Sequence, residues 1–230
     1  MMNPMLTVRH LTKRFGCRLV IDNLSFTLHQ GNRITLFAPS GAGKTTLINI
    51  LNGFDPGFEG FYRLTARHPA TVFQEPRLFS HLTVHENIFL PFQVRRLPIT
   101  DAVLARYTTW LDLCELTERT GHFPFQLSGG LKQKVALIRC FLTEPDFVML
   151  DEPFKSIDMD SKRRIIEHII YAYPSVTVLL ATHNLDEIPL LTKWLLIFKT
   201  SALTGNSMVQ EISGLTLPDL FTRIMPYPDR

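Results

Sequence analysis

At 230 residues the chain is long enough for one large domain or two small ones with an ample core, and a hydrophobic fraction of 45% excludes a disordered polypeptide. The net charge of +3 comes from 24 basic and 21 acidic residues scattered along the chain, too small a balance to argue for a nucleic-acid partner. Residues 1–6 show no basic segment followed by an apolar run, which argues against a signal peptide. The longest apolar candidate, residues 176–198, is broken by His183, Asn184, Asp186, Glu187 and Lys193, so no stretch reads as a membrane span. Cys17, Cys114 and Cys140 are odd in number and far apart, a pattern that fits a reducing cytosol without structural disulfides. The eight histidines show no metal-ligand spacing.

Residues 6–30 read as strands joined by turns. Leu24-Ser25-Phe26-Thr27-Leu28 alternates apolar and polar, the mark of a half-buried antiparallel strand. Arg14-Phe15-Gly16 is placed in the preceding turn. On composition alone Phe15 reads as a core residue; the alternative is an exposed ring on which a nucleotide base stacks.

The apolar run Arg33-Ile34-Thr35-Leu36-Phe37 reads as a buried strand, and residues 46–53 as a helix closed by Gly53. Between them lies Ala38-Pro39-Ser40-Gly41-Ala42-Gly43-Lys44-Thr45-Thr46. Strand, glycine-rich turn and helix are the context of a phosphate-binding loop. Gly41 and Gly43 allow the backbone to bend and approach a polyphosphate, with amide N–H groups aimed at the anion. Lys44 would then neutralise β- and γ-phosphate oxygens, and the Thr45 hydroxyl would ligate Mg²⁺. Ala38 stands where this pattern usually opens with glycine. The plain alternative is a turn that only joins strand to helix.

Residues 54–60 are a loop by their Gly and Pro content, and a short β stretch ends in Ala70-Thr71-Val72-Phe73. Gln74 follows, just ahead of a proline turn. Residues 82–140 are mostly helical by pattern, for example 101–113, and look like an insertion into the α/β unit. Within it, Ser128 is a good N-cap, and Gly129 and Gly130 leave the amides of the helix start open, a second candidate anion site. Lys132 and Lys134 oppose the dipole there, which is unfavourable unless they meet an anion; the plain alternative is a capped helix with nothing bound.

Phe147-Val148-Met149-Leu150 is a second buried strand, ending in Asp151-Glu152-Pro153. Adjacent carboxylates at the C-terminal end of a parallel strand lie where α/β proteins bind ligands. Asp151 would hold the Mg²⁺ shell and Glu152 would polarise a water near the γ-phosphate; the alternative is an exposed acidic turn. A helix over 161–173 and a third buried strand over 175–181 follow, and the strand ends in Thr182-His183-Asn184, where His183 can meet a phosphate oxygen.

In this order the elements resemble the ATP-binding subunit of an ABC transporter, from about Leu6 to Glu187. Residues 38–46 resemble its Walker A and Gln74 its Q-loop. Leu127-Ser128-Gly129-Gly130 resembles the signature motif, residues 147–152 Walker B with its catalytic glutamate, Ser156-Ile157-Asp158 the D-loop, and His183 the switch histidine. Phe15 falls at the A-loop position, which moves the reading to base stacking. Leu131 replaces the glutamine usual after the signature glycines, and Lys155 replaces a small residue before the D-loop.

The resemblance implies an α/β fold, a P-loop core with an antiparallel β edge and a helical subdomain over about 82–140, in a single ATP-binding domain spanning 1–230. The part from 188 to 230 is atypical. ATP and Mg²⁺ are the implied cofactors. ATP would be held by Phe15, Ala38, Pro39, Ser40, Gly41, Ala42, Gly43, Lys44, Thr45 and Thr46, and in trans by Ser128, Gly129 and Gly130 of a second copy. Thr45, Gln74 and Asp151 would hold Mg²⁺, and Glu152, His183 and Gln74 would serve hydrolysis.

Residues 72–79 with 82–88 resemble the importer branch for nitrate, taurine and other sulfonates, and thiamine precursors. That implies two copies bound to two permease subunits on the cytoplasmic face of a bacterial inner membrane, fed by a periplasmic binding protein, with no nucleic acid. An exporter ATPase, a soluble non-transport ABC ATPase and a non-catalytic binding module stay open as alternatives. A chromosome-maintenance ATPase would need a long heptad insertion that residues 82–125 lack.

Overall fold

A computed structural model describes residues 3–198, 203–204 and 208–212. In chain order the elements are β1 (Pro4–Phe15), β2 (Arg18–His29), β3 (Arg33–Phe37), α1 (Lys44–Leu51), β4 (Glu59–Leu64), β5 (Pro69–Val72), α2 (Val84–Arg95) and α3 (Asp101–Leu113). There follow α4 (Gly129–Phe141), β6 (Phe147–Asp151), α5 (Met159–Ala172), β7 (Thr177–Thr182), α6 (Ile188–Leu191), β8 (Trp194–Ile197), β9 (Leu203–Thr204) and β10 (Met208–Glu211). The chain divides into two compact units. The first draws on Met1–Pro69, Asp146–Asp151 and Ser175–Arg230, so far as these are described, and the second on Ala70–Pro145 and Glu152–Pro174.

The first unit holds two sheets. In one, β1 pairs antiparallel with both β2 and β4, and the short β9 lies parallel to β2 on the other edge. Alternation sets its faces: Leu24 and Leu28 are buried while Ser25 and Thr27 are exposed, and Leu6 pairs with Leu28. In the other sheet β8, β3, β7 and β6 run parallel in that order, with β10 antiparallel to β8. β6 and β7 are buried at every position, which is why both read as unbroken apolar runs. Helix α1 lies against β6, where the Asn52 amide reaches the Met149 sulfur at 3.9 Å.

The second unit carries α2 to α5. Each begins at a residue whose side chain caps the first turn: Thr83, Thr100, Ser128 and Asp158. At α2 the cap is reciprocal, since Glu86 Oε2 accepts from the Thr83 amide at 2.7 Å. That bond and the one from the Thr83 hydroxyl hold the Glu86 carboxyl below its ordinary range. Trp110 is the largest fully buried side chain here. It stacks on Phe141, and its indole N–H donates to the Tyr173 hydroxyl at 3.0 Å.

The helix expected over 101–113 is α3 residue for residue. The segment around 60–73 resolves into β4 and the four-residue β5, and the short β stretch expected there is confirmed. Among the described residues no helix is long and apolar enough to cross a membrane. The three cysteines are free, and burial pushes the thiols of Cys114 and Cys140 up to about 12. Of the atypical stretch 188–230, residues 199–202, 205–207 and 213–230 lie outside the described residues.

Candidate functional site

The loop between β3 and α1 has the shape its sequence demands. Gly41 and Gly43 have φ of +77° and +105°, in the left-handed region that side chains rarely adopt. Gly43 is the N-cap of α1, and a Cβ there would meet Val20 Cγ1 at 2.6 Å and the Val20 carbonyl at 3.1 Å. Ala38 is buried and is not among the residues with positive φ, so its methyl group is accommodated without strain. The Ala42 amide closes the turn on the Pro39 carbonyl at 3.2 Å. Lys44 is 7% exposed, and its ammonium donates to the carbonyls of Ala38 at 2.7 Å and Pro39 at 3.2 Å. Its charge therefore sits inside the curve of the loop. Ser40 and Thr45 are exposed and Thr46 is half-buried.

Sheet register brings two further residues to the same end of the first unit. Phe37 pairs with Thr182 and Ala181 with Asp151, so the loop after β3, the turn after β7 and the end of β6 lie side by side. Asp151 is 1% exposed and His183 is exposed. The turn that carries His183 is fixed on both sides. Thr182 donates to Glu187 Oε2 at 2.8 Å, the Asn184 amide donates to the Thr182 hydroxyl at 3.0 Å, and Asn184 Oδ1 accepts from the Asp186 amide at 3.0 Å.

Phe15 corrects the reading from composition. It ends β1, paired with Arg18, rather than sitting in a turn, and it is 53% exposed rather than core. Its strand neighbour Lys13 is the buried one, held by Asp55 at 2.6 Å and the Gly57 carbonyl at 2.7 Å, with its ammonium 4.6 Å from the Phe15 ring centre. The lysine bond is also the main cause of the lowered Asp55 carboxyl pKa.

Gln74, Glu152 and Ser128-Gly129-Gly130 belong to the second unit, so the boundary between units falls between the consecutive residues Asp151 and Glu152. Glu152 and Ser156 both have left-handed backbones, with φ of 47° and 68°. Such conformations in non-glycine residues concentrate at functional sites. The Lys155 amide donates to the Glu152 carbonyl at 3.2 Å across this bend. Ser128 caps α4 by accepting from the Leu131 amide at 3.3 Å, so the replacement by Leu131 leaves the cap intact. A Cβ on Gly130 would overlap the Ser156 carbonyl oxygen, so this glycine is set by the close pass of the 156–158 segment. Asp158 caps α5 through the Ser161 amide at 2.8 Å.

Lys134 is not available to an outside anion. It is 4% exposed, donates to Ser161 Oγ at 3.0 Å and lies 3.6 Å from Glu115, which also binds Arg164 at 2.8 Å. Those two cations, Arg164 first, hold the Glu115 carboxyl below its ordinary range.

Three residues escape the sequence reading. Arg18 Nη2 donates to the Gly41 carbonyl of the loop at 3.2 Å. Gln133 donates to the Phe73 carbonyl at 3.2 Å, and Arg139 to the carbonyls of Pro76 at 2.8 Å and Arg77 at 3.1 Å. Gln133 and Arg139 fasten the segment around Gln74 to α4. A polar residue on the buried face of a patterned helix is the one signal that marks Gln133.

A glycine loop at the end of a parallel strand, with a buried carboxylate two strands away, defines a P-loop protein of the α/β class. The chain belongs to the ABC transporter family, whose pattern matches residues 21–155, and it is an ATPase of that family. It is 33% identical over 188 residues to the aliphatic sulfonates import ATP-binding protein SsuB of Bacillus cereus, covering 78% of this chain and 73% of that one. It is 40% identical over 187 residues to an SsuB of Frankia alni, covering 80% and 67%. It is also 35% identical over 196 residues to the spermidine/putrescine import ATP-binding protein PotA of Pseudomonas aeruginosa, covering 80% of this chain and 54% of that relative. Among solved structures, an ABC transporter ATP-binding subunit superposes with a TM-score of 0.81 at 23% identity, covering 96% and 99% of the two chains. A dimeric ATP-binding cassette bound to ADP and Pi gives 0.78 at 22% identity, covering 92% and 100%. At that identity the likeness speaks for the fold.

Proposed function

We propose that this chain is the ATP-hydrolysing subunit of a membrane importer for a small organic solute of the nitrate, sulfonate, taurine or thiamine-precursor type. The observation that carries the ATPase site is the register that sets the Lys44 loop, Asp151 and His183 at one end of the parallel sheet. Support for import comes from relatives named for the import of sulfonates and of polyamines. Residues 1–230 then form one ATP-binding domain with its helical subdomain over about 82–140.

In this reading Ala38 to Thr46 cradle the phosphates, and Lys44 neutralises the β- and γ-phosphates. The Thr45 hydroxyl, the Asp151 carboxylate and the Gln74 side-chain carbonyl are hard oxygen donors that fit Mg²⁺, an octahedral ion bound through one or two carboxylates with phosphate and water filling further positions. Mg²⁺ would supply charge neutralisation at the phosphates. Glu152 polarises the attacking water and His183 hydrogen-bonds a phosphate oxygen. Ser128, Gly129 and Gly130 offer open amides at the start of α4 to the ATP held by a second copy.

The adenine stacks on the exposed Phe15 ring. Phe15→Ala is expected to weaken ATP binding by about 1 kcal/mol, the scale of an aromatic contact. Turnover at saturating ATP stays unchanged. Nucleotide titration beside a thermal melt checks this, and normal affinity with lowered stability would return Phe15 to a structural role.

Two copies would sit on the cytoplasmic face of a bacterial inner membrane, bound to two permease subunits and served by a periplasmic binding protein. Reconstitution with the permease in vesicles tests the whole assembly. ATP supplied on the side bearing this chain is expected to draw binding-protein-delivered solute toward that side. Solute moving away from the ATP side, with ATPase activity indifferent to the binding protein, would make it an exporter.

A further inference from the structure

The first unit has a second concave site, a groove of about 1150 Å³. Its walls include Gln30, which precedes β3, and Asp146, which precedes β6. The Lys44 loop and Asp151 lie at the opposite ends of those same strands. The groove is therefore separate from the proposed nucleotide site.

Its floor is the exposed face of β1 and β4. Arg9 pairs across the strands with Phe61, and Thr7 pairs with Arg63. Residues two apart on a strand share a face, so Arg9 and Arg63 are diagonal neighbours with the Phe61 ring beside both. The Phe61 side chain is 52% exposed. Arg67 follows from the end of β4 and also lines the groove. Among the described residues none of these three arginines enters an ion pair. The acidic residue in the lining, Asp146, forms no ion pair with them among the described residues. Asp146 Oδ2 accepts from the Arg67 amide at 2.7 Å and Oδ1 from the His68 amide at 2.9 Å. Its carboxylate is thus engaged by backbone, and it pins Arg67 to the rim.

We propose that this groove binds a small, flat organic dianion. Diagonal positions on paired strands lie roughly 7–8 Å apart, a span that suits two anionic groups carried on one ring system. Each guanidinium can grip a carboxylate, sulfonate or phosphate with two parallel hydrogen bonds. The Phe61 face takes the ring between them. The groove's size exceeds what a single small ligand fills, so water shares it.

Fluorescence titration of the full chain with naphthalene-1,5-disulfonate tests the site. Saturable 1:1 binding is expected, unchanged by saturating ADP and weakened as salt is raised. Arg9→Ala with Arg63→Ala lowers affinity at least about tenfold, as loss of charged hydrogen bonds requires. Phe61→Ala lowers it about threefold, within the range for a lost aromatic contact. Arg67→Gln, outside the strands, also lowers it about threefold and serves where the double variant does not fold. ATPase activity is the same in all of them. Displacement by ADP would place the probe at the nucleotide loop and overturn the proposal. So would a double variant that binds as tightly as the parent, absence of saturation, or binding of acidic peptide but not of the disulfonate. Ethane-1,2-disulfonate, which lacks the ring, is expected to bind more weakly; equal affinity would remove Phe61 and the flat ring from the site.

Discussion

Lys44→Ala is expected to lower ATP affinity at least about 100-fold and to bring turnover below detection. Lys44 is held inside the curve of the loop, at the first position of α1, with its ammonium on the Ala38 and Pro39 carbonyls. In the proposed complex it exchanges those carbonyls for phosphate oxygens. Hydrogen bonds to charged groups contribute roughly 1.5–3 kcal/mol each. Two such bonds amount to about 3–6 kcal/mol, and each 1.4 kcal/mol is about a factor of ten. Arg18, the other cation bonded to the loop among the described residues, is engaged by the Gly41 carbonyl at 3.2 Å. Nucleotide titration and phosphate release measure the effect, and a thermal melt close to the parent's separates loss of the site from loss of the fold. Unchanged affinity would end the assignment of residues 38–46 as a phosphate loop.

The parts of this site that could be read from sequence are those whose physics is local. The glycines at 41 and 43 are required by their own backbone angles. The Ser128 cap needs only the amide three residues on. The strands β6 and β7 are covered on both faces and so read as continuous apolar runs. Composition reads Phe15 as core, because the exposure of an aromatic is decided by groups distant in the sequence. Here Asp55 and Gly57 hold the buried Lys13, while the Phe15 ring beside its ammonium is 53% exposed. The helix dipole leaves open whether Lys134 meets an anion, and the partners of this lysine lie on α5 and at Glu115. Gln133 and Arg139 act on carbonyls about sixty residues earlier in the chain, a separation that no local pattern encodes. Arg9 and Arg63 of the second groove are likewise scattered charges in the sequence, and the pairing of β1 with β4 gathers them on one face.

Glu152→Gln is expected to leave ATP affinity unchanged, to cut hydrolysis at least about 100-fold, and to trap an ATP-dependent dimer. The substitution keeps the shape of the side chain and removes only its charge, so the loss is that of a positioned general base, typically a factor of about 10² to 10⁴. The backbone sets where the group stands. Glu152 adopts φ of 47° directly after the buried Asp151, and its carbonyl accepts from the Lys155 amide, a backbone bond that the substitution leaves in place. In the proposed two-copy complex the water is then no longer polarised, and bound ATP is expected to persist between the loop of one copy and the Ser128–Gly130 amides of the other. Removing a negative charge beside the γ-phosphate also relieves repulsion in the closed pair. Size-exclusion chromatography of the variant with ATP and Mg²⁺ reads the outcome: a shift to the mass of two chains that disappears when ATP is withheld. A monomer under both conditions, with ATP demonstrably bound, would overturn the shared two-copy site and leave Ser128, Gly129 and Gly130 as no more than the capped start of α4.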